Sequence, residues 1–193
     1  MRLATIENPR HIMTRRAYRM MERQFGKVPT PLKVIYARKP RLLPLLMLIT
    51  RTVDRGISLD PQMRLLLLNF VDKLNGCSFC GDYRLAIAVQ KRMGLDKFRA
   101  LDDFRANDLF TARESAALVY AEETTLQKSV SDETFAELQQ HFSDVEIVEL
   151  TWLIAIENYF NLMKLALRLN SDGLQQLAED RIGGLDKASA GSV

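Results

Sequence analysis

Cysteine and histidine are scarce, with two of each in 193 residues. Two cysteines cannot build the disulfide framework of a small secreted domain. A zinc site needs about four ligands, and the histidines, His11 and His141, lie far in sequence from Cys77 and Cys80. No metal is expected. The period-2 runs that a sheet requires are missing, and so is any glycine-rich phosphate loop. That leaves no βα unit for thioredoxin-type chemistry and no cofactor pocket. Long apolar runs are missing too. Leu42 to Ile49 is eight residues and contains Pro44, against about 20 for a bilayer span. Met1 to Arg23 scatters arginine and lacks the continuous apolar stretch of a secretory signal. A cytoplasmic protein with no membrane contact is expected.

What is present is an ordinary globular composition, 47% hydrophobic and 26% charged, enough for one domain with a sizeable core. The net charge of +3 hides an asymmetry. Residues 1–64 hold 14 Lys and Arg against 4 acids, and the remainder holds 13 against 20. A basic front and an acidic rear can attract an anionic partner or each other.

Helical signals run through the chain, which reads as all-α. His11 to Phe25 is an arginine-rich amphipathic segment broken by Gly26, Pro29 and Pro31. Residues 1–40 therefore read as a basic N-terminal arm. Leu42 to Val53 predicts a helix ended by Gly56. Asp60 followed by Pro61 is an N-cap with proline at the first helical position, opening an apolar, central helix stopped by Asn75 and Gly76. Thr111 with Glu114, and Ser143 with Glu146, match capping boxes for helices of about Ala112–Leu126 and Asp144–Leu169. Ser131 caps another helix, with Phe135, Leu138 and Phe142 on its buried side. The last long helix is apolar on more than one face, as in a central or subunit-interface helix. A helical domain over 41–180 is expected, including a short helix after Gly173, followed by a flexible tail over 181–193.

Both cysteines of the chain fall in one C-x-x-C, Cys77 and Cys80, directly after the stop at Gly76. Residues three apart share a helix face. At a helix start, free amides and the macrodipole favour a thiolate, the nucleophilic form. Arg84 falls on the same stripe and can lower a thiol pKa by charge, but it cannot exchange protons. Tyr83 borders the stripe as a weak acid, and Asp82 points elsewhere, toward a structural bond. Two buried apolar cysteines are the competing explanation.

The stretch Asn75-Gly-Cys-Ser-Phe-Cys-Gly-Asp-Tyr-Arg84 resembles the C-x-x-C-x-x-x-H core of the carboxymuconolactone decarboxylase-like superfamily, in its alkyl hydroperoxidase D branch. Glu149 to Asn161 and Ser171 to Leu174 resemble that group's C-terminal helix and turn, so the resemblance covers about Leu42 to Leu174. It implies an all-helical alkyl hydroperoxidase D-like bundle assembled as a trimer or hexamer. It also implies a thiol-dependent peroxidase of the peroxiredoxin type. Cys80 matches the peroxidatic residue and Cys77 the resolving one; the partners would be a hydroperoxide substrate and an external dithiol reductant. Two positions depart from the pattern, because Arg84 stands where the relay histidine belongs and Leu65 where its glutamate belongs. Glu122, Glu123 and Glu157 are the candidate replacements.

A non-catalytic thiol redox sensor or structural oligomer is the alternative, and a lactone decarboxylase ranks low. His141, late in its helix, is expected to serve the C-terminal dipole, and His11 to be exposed. Arg15, Arg16, Arg19 and Arg23 form one charged face at helical spacing. A solvated or intersubunit face is expected there rather than a nucleic-acid site.

Overall fold

The computed structural model describes the backbone of residues 1–190 and side chains as far as residue 184. Among the described residues there are nine α-helices and no strand. They are α1 (Ile12–Phe25), α2 (Leu43–Arg55), α3 (Pro61–Leu74), α4 (Ser78–Gln90), α5 (Asp96–Arg99), α6 (Ala112–Gln127), α7 (Asp132–His141), α8 (Asp144–Ala166) and α9 (Leu174–Ala190). None is long and apolar enough to cross a membrane.

The caps are those the sequence proposes. Asp60 accepts from the amides of Gln62 and Met63, and both capping boxes close. Asn75 and Gly76 end α3, with Gly76 at φ 67°, a left-handed conformation where glycine carries no Cβ penalty. Burial places α3 at the centre. Leu65, Leu66, Leu67 and Leu68 point in four directions, and all are buried. A helix that buries every side must be covered all round, and α4, α6 and α8 do this.

Several expectations change. Residues 1–40, expected as a basic arm, pack in part against the helical domain. Tyr18, Leu32, Val34, Ile35 and Tyr36 build a second apolar cluster with Leu43 and Leu169. Polar ties reinforce it: Asp172 accepts from the Thr30 amide and hydroxyl and pairs with Lys27 at 3.2 Å. Val34 and its neighbours are β-branched and aromatic, so this segment has the apolar content to be buried, which its charge obscures. Phe135 is exposed, leaving Leu138 and Phe142 as the buried side of α7. The long helix ends at Ala166, short of Leu169, where Arg168 turns left-handed at φ 52°. The helix after Gly173 extends to Ala190, into the segment expected to be a flexible tail; residues 191–193 of that segment lie outside the described residues.

Leu67, with no solvent exposure, sits in the main core. Leu67→Ala is expected to lower unfolding free energy by about 2–5 kcal/mol, read by urea denaturation. A loss under about 1 kcal/mol would mean that α3 is not the packed centre.

Candidate active site

The sharp α3–α4 turn brings the two cysteines together. Cys77 is the N-cap of α4, its amide donates to the Asp72 carbonyl at 2.9 Å, and Cys80 follows in the first helical turn. The sulfurs are joined in a disulfide, with Cα atoms 5.3 Å apart. Both residues are buried, 3% and 2% exposed. Phe25 of α1, Phe79 and Ala86 of α4, and Leu174 and Ala178 of α9 form the apolar wall around them.

The far side of Cys80 is not hydrocarbon. Asp72 of α3 and Glu157 of α8 are buried there, and one carboxylate oxygen of each lies, with the Cys80 Sγ, within 4.8 Å of the others. Arg84 of α4 forms a buried ion pair with Glu157 through Nη2. Asn161 donates to Asp72 Oδ1 at 2.7 Å and to Glu157 Oε1 at 3.3 Å. Asn75 donates to Asn161 at 2.9 Å and to Asn158 at 3.0 Å, locking the turn before Cys77 onto α8.

The electrostatics follow from burial and spacing. Burial, with the charge of Glu157 beside it, pushes Asp72 well above the ordinary carboxyl range, more than Arg84 and Asn161 offset. Burial would raise Glu157 as well, but Arg84 and Lys164, with a hydrogen bond from Asp72, outweigh it and keep Glu157 below its usual value. Arg84 is raised, since its two carboxyl neighbours exceed the desolvation that opposes them. Lys164, stacked over Phe160 at 4.7 Å and Phe79 at 5.7 Å, is pushed down to about 8 by burial, against the pull of Glu157 and Asp72. Tyr83 is raised by burial, so its phenol stays neutral; its ring packs on Phe25 at 5.3 Å and Phe79 at 6.3 Å.

The residues proposed from sequence thus separate. Cys77, Cys80 and Arg84 belong to one constellation, although Arg84 is committed to Glu157. Tyr83 packs among aromatic rings in the disulfide's wall. Of the three candidate acids only Glu157 is present. Glu122 pairs with Arg105, and Glu123 accepts from the Ser131 amide at the start of α7. His141 pairs with Glu137 at 3.1 Å and His11 is exposed. Asp72, Asn161 and Lys164 join the site without any motif of the sequence assigning them to it. Glu157, Asn161 and Lys164 fall at i, i+4 and i+7, a polar stripe along an otherwise apolar helix, and Asp72 continues the buried face of Leu65 and Leu68.

Asp82 holds α9 over the disulfide. Its carboxylate accepts from the amides of Asp172, Leu174 and Gln175 at 3.0, 2.9 and 2.8 Å, and from the Ser171 hydroxyl at 2.8 Å. An anion at a helix start is favoured by the free amides there.

With this geometry in hand, the fold is that of the alkyl hydroperoxidase D-like helical proteins. The chain is similar to a peroxidase-related protein from Ralstonia eutropha described as an alkylhydroperoxidase AhpD core, with a TM-score of 0.71, 17% identity, and coverage of 86% of this chain and 89% of that one. It is also similar to the debrominase Bmp8, with a TM-score of 0.75 at 19% identity over 93% of this chain and 97% of that one. In sequence it is 29% identical over 161 residues to the protein YnjA of Escherichia coli, covering 82% of this chain and 88% of that protein. No protein-family model matches the chain.

Asp82→Ala removes the carboxylate that tethers α9. Since hydrogen bonds to a charged group contribute about 1.5–3 kcal/mol each, reduction of the disulfide by a small thiol is expected to accelerate by about tenfold or more. An unchanged rate would show that α9 does not limit access to the sulfurs.

Proposed function

We propose that this protein is a thiol-dependent peroxidase that reduces hydroperoxides with the Cys77–Cys80 pair. The observation that carries the reading is a disulfide closed across the first turn of α4 with an acid and cation cluster directly against Cys80. The Cys80 thiolate attacks the distal peroxide oxygen; the O–O bond breaks, Cys80 becomes a sulfenic acid and the alkoxide leaves, to be protonated as the alcohol. Cys77 then attacks the Cys80 sulfur, forming the disulfide and releasing water once a proton is supplied. An external dithiol, acting in a cytoplasmic setting, returns two electrons and two protons and leaves as its own disulfide. Arg84 acts on Cys80 through Glu157, whose negative charge it stabilises, and Tyr83 closes the wall of the site as a neutral phenol.

The near-complete burial of both sulfurs favours one other reading, a redox sensor. There the disulfide forms once per signal and α9 responds to it. Turnover separates the two. With excess peroxide and dithiothreitol, many peroxides consumed per chain are expected for the wild type. Cys80→Ser should consume none, and Cys77→Ser should stop at a Cys80 sulfenic acid. One oxidation per chain without turnover would replace the enzyme by the sensor.

Self-association belongs to the same reading. Val145, Val148, Tyr159 and Leu162 expose an apolar stripe along α8, with Val148 and Leu162 each 68% exposed, while α2 exposes Leu45, Met47 and Leu48. Apolar helix faces of this extent call for a partner, and a second copy of the chain in a closed trimer or hexamer supplies one. Leu162→Glu is expected to reduce the mass seen by light scattering to that of a smaller assembly or monomer. A wild type that is already monomeric at micromolar concentration removes the claim.

A further inference from the structure

We propose that Asp72 and Glu157 share a single proton in the resting site and use it to relay each thiol proton to the departing oxygen, an inference that rests on the peroxidase reading above. The two carboxyls reach one point from different helices, α3 and α8, and meet the Cys80 sulfur there within 4.8 Å. They are sealed from water, at 1% and 0% exposure, so neither can exchange protons with bulk solvent directly. Their hydrogen bonds leave one carboxylate oxygen of the pair without a donor, which a shared proton satisfies. Asn161 donates to Asp72 Oδ1, and Arg84 and Asn161 donate to the two oxygens of Glu157. Among the described residues, none donates a hydrogen bond to the buried Asp72 Oδ2.

A bare buried carboxylate oxygen is costly, whereas a protonated one is a donor and needs an acceptor. Glu157 is that acceptor. Charge points the same way, because burial and the neighbouring Glu157 charge disfavour ionisation of Asp72 more than Arg84 offsets. The charged and titratable groups facing the pair are Arg84, Tyr83 and Cys80 from α4 and Lys164 from α8. Arg84 and a neutral Tyr83 are fixed in charge, and Lys164 is the second cation in reach.

The relay balances at each step. Cys80 gives its thiol proton to Glu157, leaving both carboxyls protonated and the sulfur anionic. Attack on the peroxide transfers the distal oxygen with its hydrogen to sulfur, and the alkoxide takes one proton from the pair to become the alcohol. Cys77 next gives its proton to the vacated carboxylate and attacks Cys80. The hydroxide expelled from the sulfenic acid takes that proton and leaves as water. The pair ends with the one proton it began with, ready for the external dithiol to reduce the disulfide.

The test joins infrared spectroscopy of the protein near neutral pH to peroxide kinetics in the wild type, Asp72→Asn and Glu157→Gln. The wild type should show the carbonyl band of a protonated buried carboxyl. Each variant should lose it, because the carboxyl that remains ionises against Arg84. Sulfenic acid formation at Cys80 should fall by about 10²-fold or more in both variants. A wild type without the band overturns the shared proton, as does a band that persists in both variants; undiminished sulfenic acid formation in both overturns the relay. A wild type that shows the band yet consumes no peroxide supports the shared proton and sinks the peroxidase reading instead. Should a variant misfold, pH titration of the wild-type band alone decides the point.

Discussion

Glu157 has no exposure to solvent and remains charged chiefly because Arg84 reaches it from the neighbouring helix, with Lys164 and Asp72 assisting. Removing a carboxylate from water costs several kcal/mol even after the protein relaxes, and a single unmatched buried charge destabilises a fold by about 3–5 kcal/mol. The Arg84–Glu157 pair therefore acts as a registration pin between α4 and α8, since sliding either helix by one turn would strand both charges. Everything chemical depends on that register. It sets Cys80 beside the carboxyls, it presents Asn161 to Asp72, and it places Asn75 where it can tie the α3–α4 turn to α8. The main core elsewhere is largely apolar packing, which tolerates rearrangement better than a charge pair does.

The sequence made the local structure legible because caps and stops are local chemistry. A hydroxyl and a carboxylate three residues apart, or an aspartate before a proline, act on amides within one turn, so Thr111, Ser143 and Asp60 could be read without knowing what surrounds them. The cysteine pair was readable for the same reason, both partners lying on one turn of one helix. Asp72 and Lys164 were not. Their significance arises only when α3, α4 and α8 converge, across separations of some eighty residues, and an acid closing a run of leucines looks like an ordinary helix end. The N-terminal segment misled in another way. Its arginines outnumber its acids so heavily that charge masked Val34, Ile35 and Tyr36, which are enough to fold it onto α2 and the Leu169 turn.

The same scaffold appears in a debrominase and in peroxidase-related proteins, so the helical arrangement alone does not select a reaction. What selects it is the group of side chains facing the sulfurs. Here a proton-inert arginine stands four residues after Cys80, so in the proposed reaction proton transfer falls to carboxyls on other helices. That division of labour has a consequence for charge. Arg84 fixes one carboxylate as an anion, which leaves the second free to be neutral and mobile in its protonation. A single ionisable group at that point would have to be both the stable counter-ion and the proton carrier.

The burial of the disulfide and the ionisation required of Cys80 look contradictory, and the cluster reconciles them. In the oxidised state the sulfurs are uncharged and suit the apolar wall of Phe25, Phe79 and Leu174, while the Arg84–Glu157 pair is close to neutral as a unit. Making a thiolate in such a place would add net negative charge to a medium that penalises it strongly. If the thiol proton moves to Glu157, however, the negative charge moves only from carboxylate to sulfur, and the net charge of the pocket is unchanged. Arg84 then faces a negative centre a few ångströms further away, and the helix-start amides around Cys80 take up part of the difference. On the proposed reading, the site then passes between a sealed disulfide and a reactive thiolate by shifting a proton over a few ångströms, with no ion having to enter from solvent.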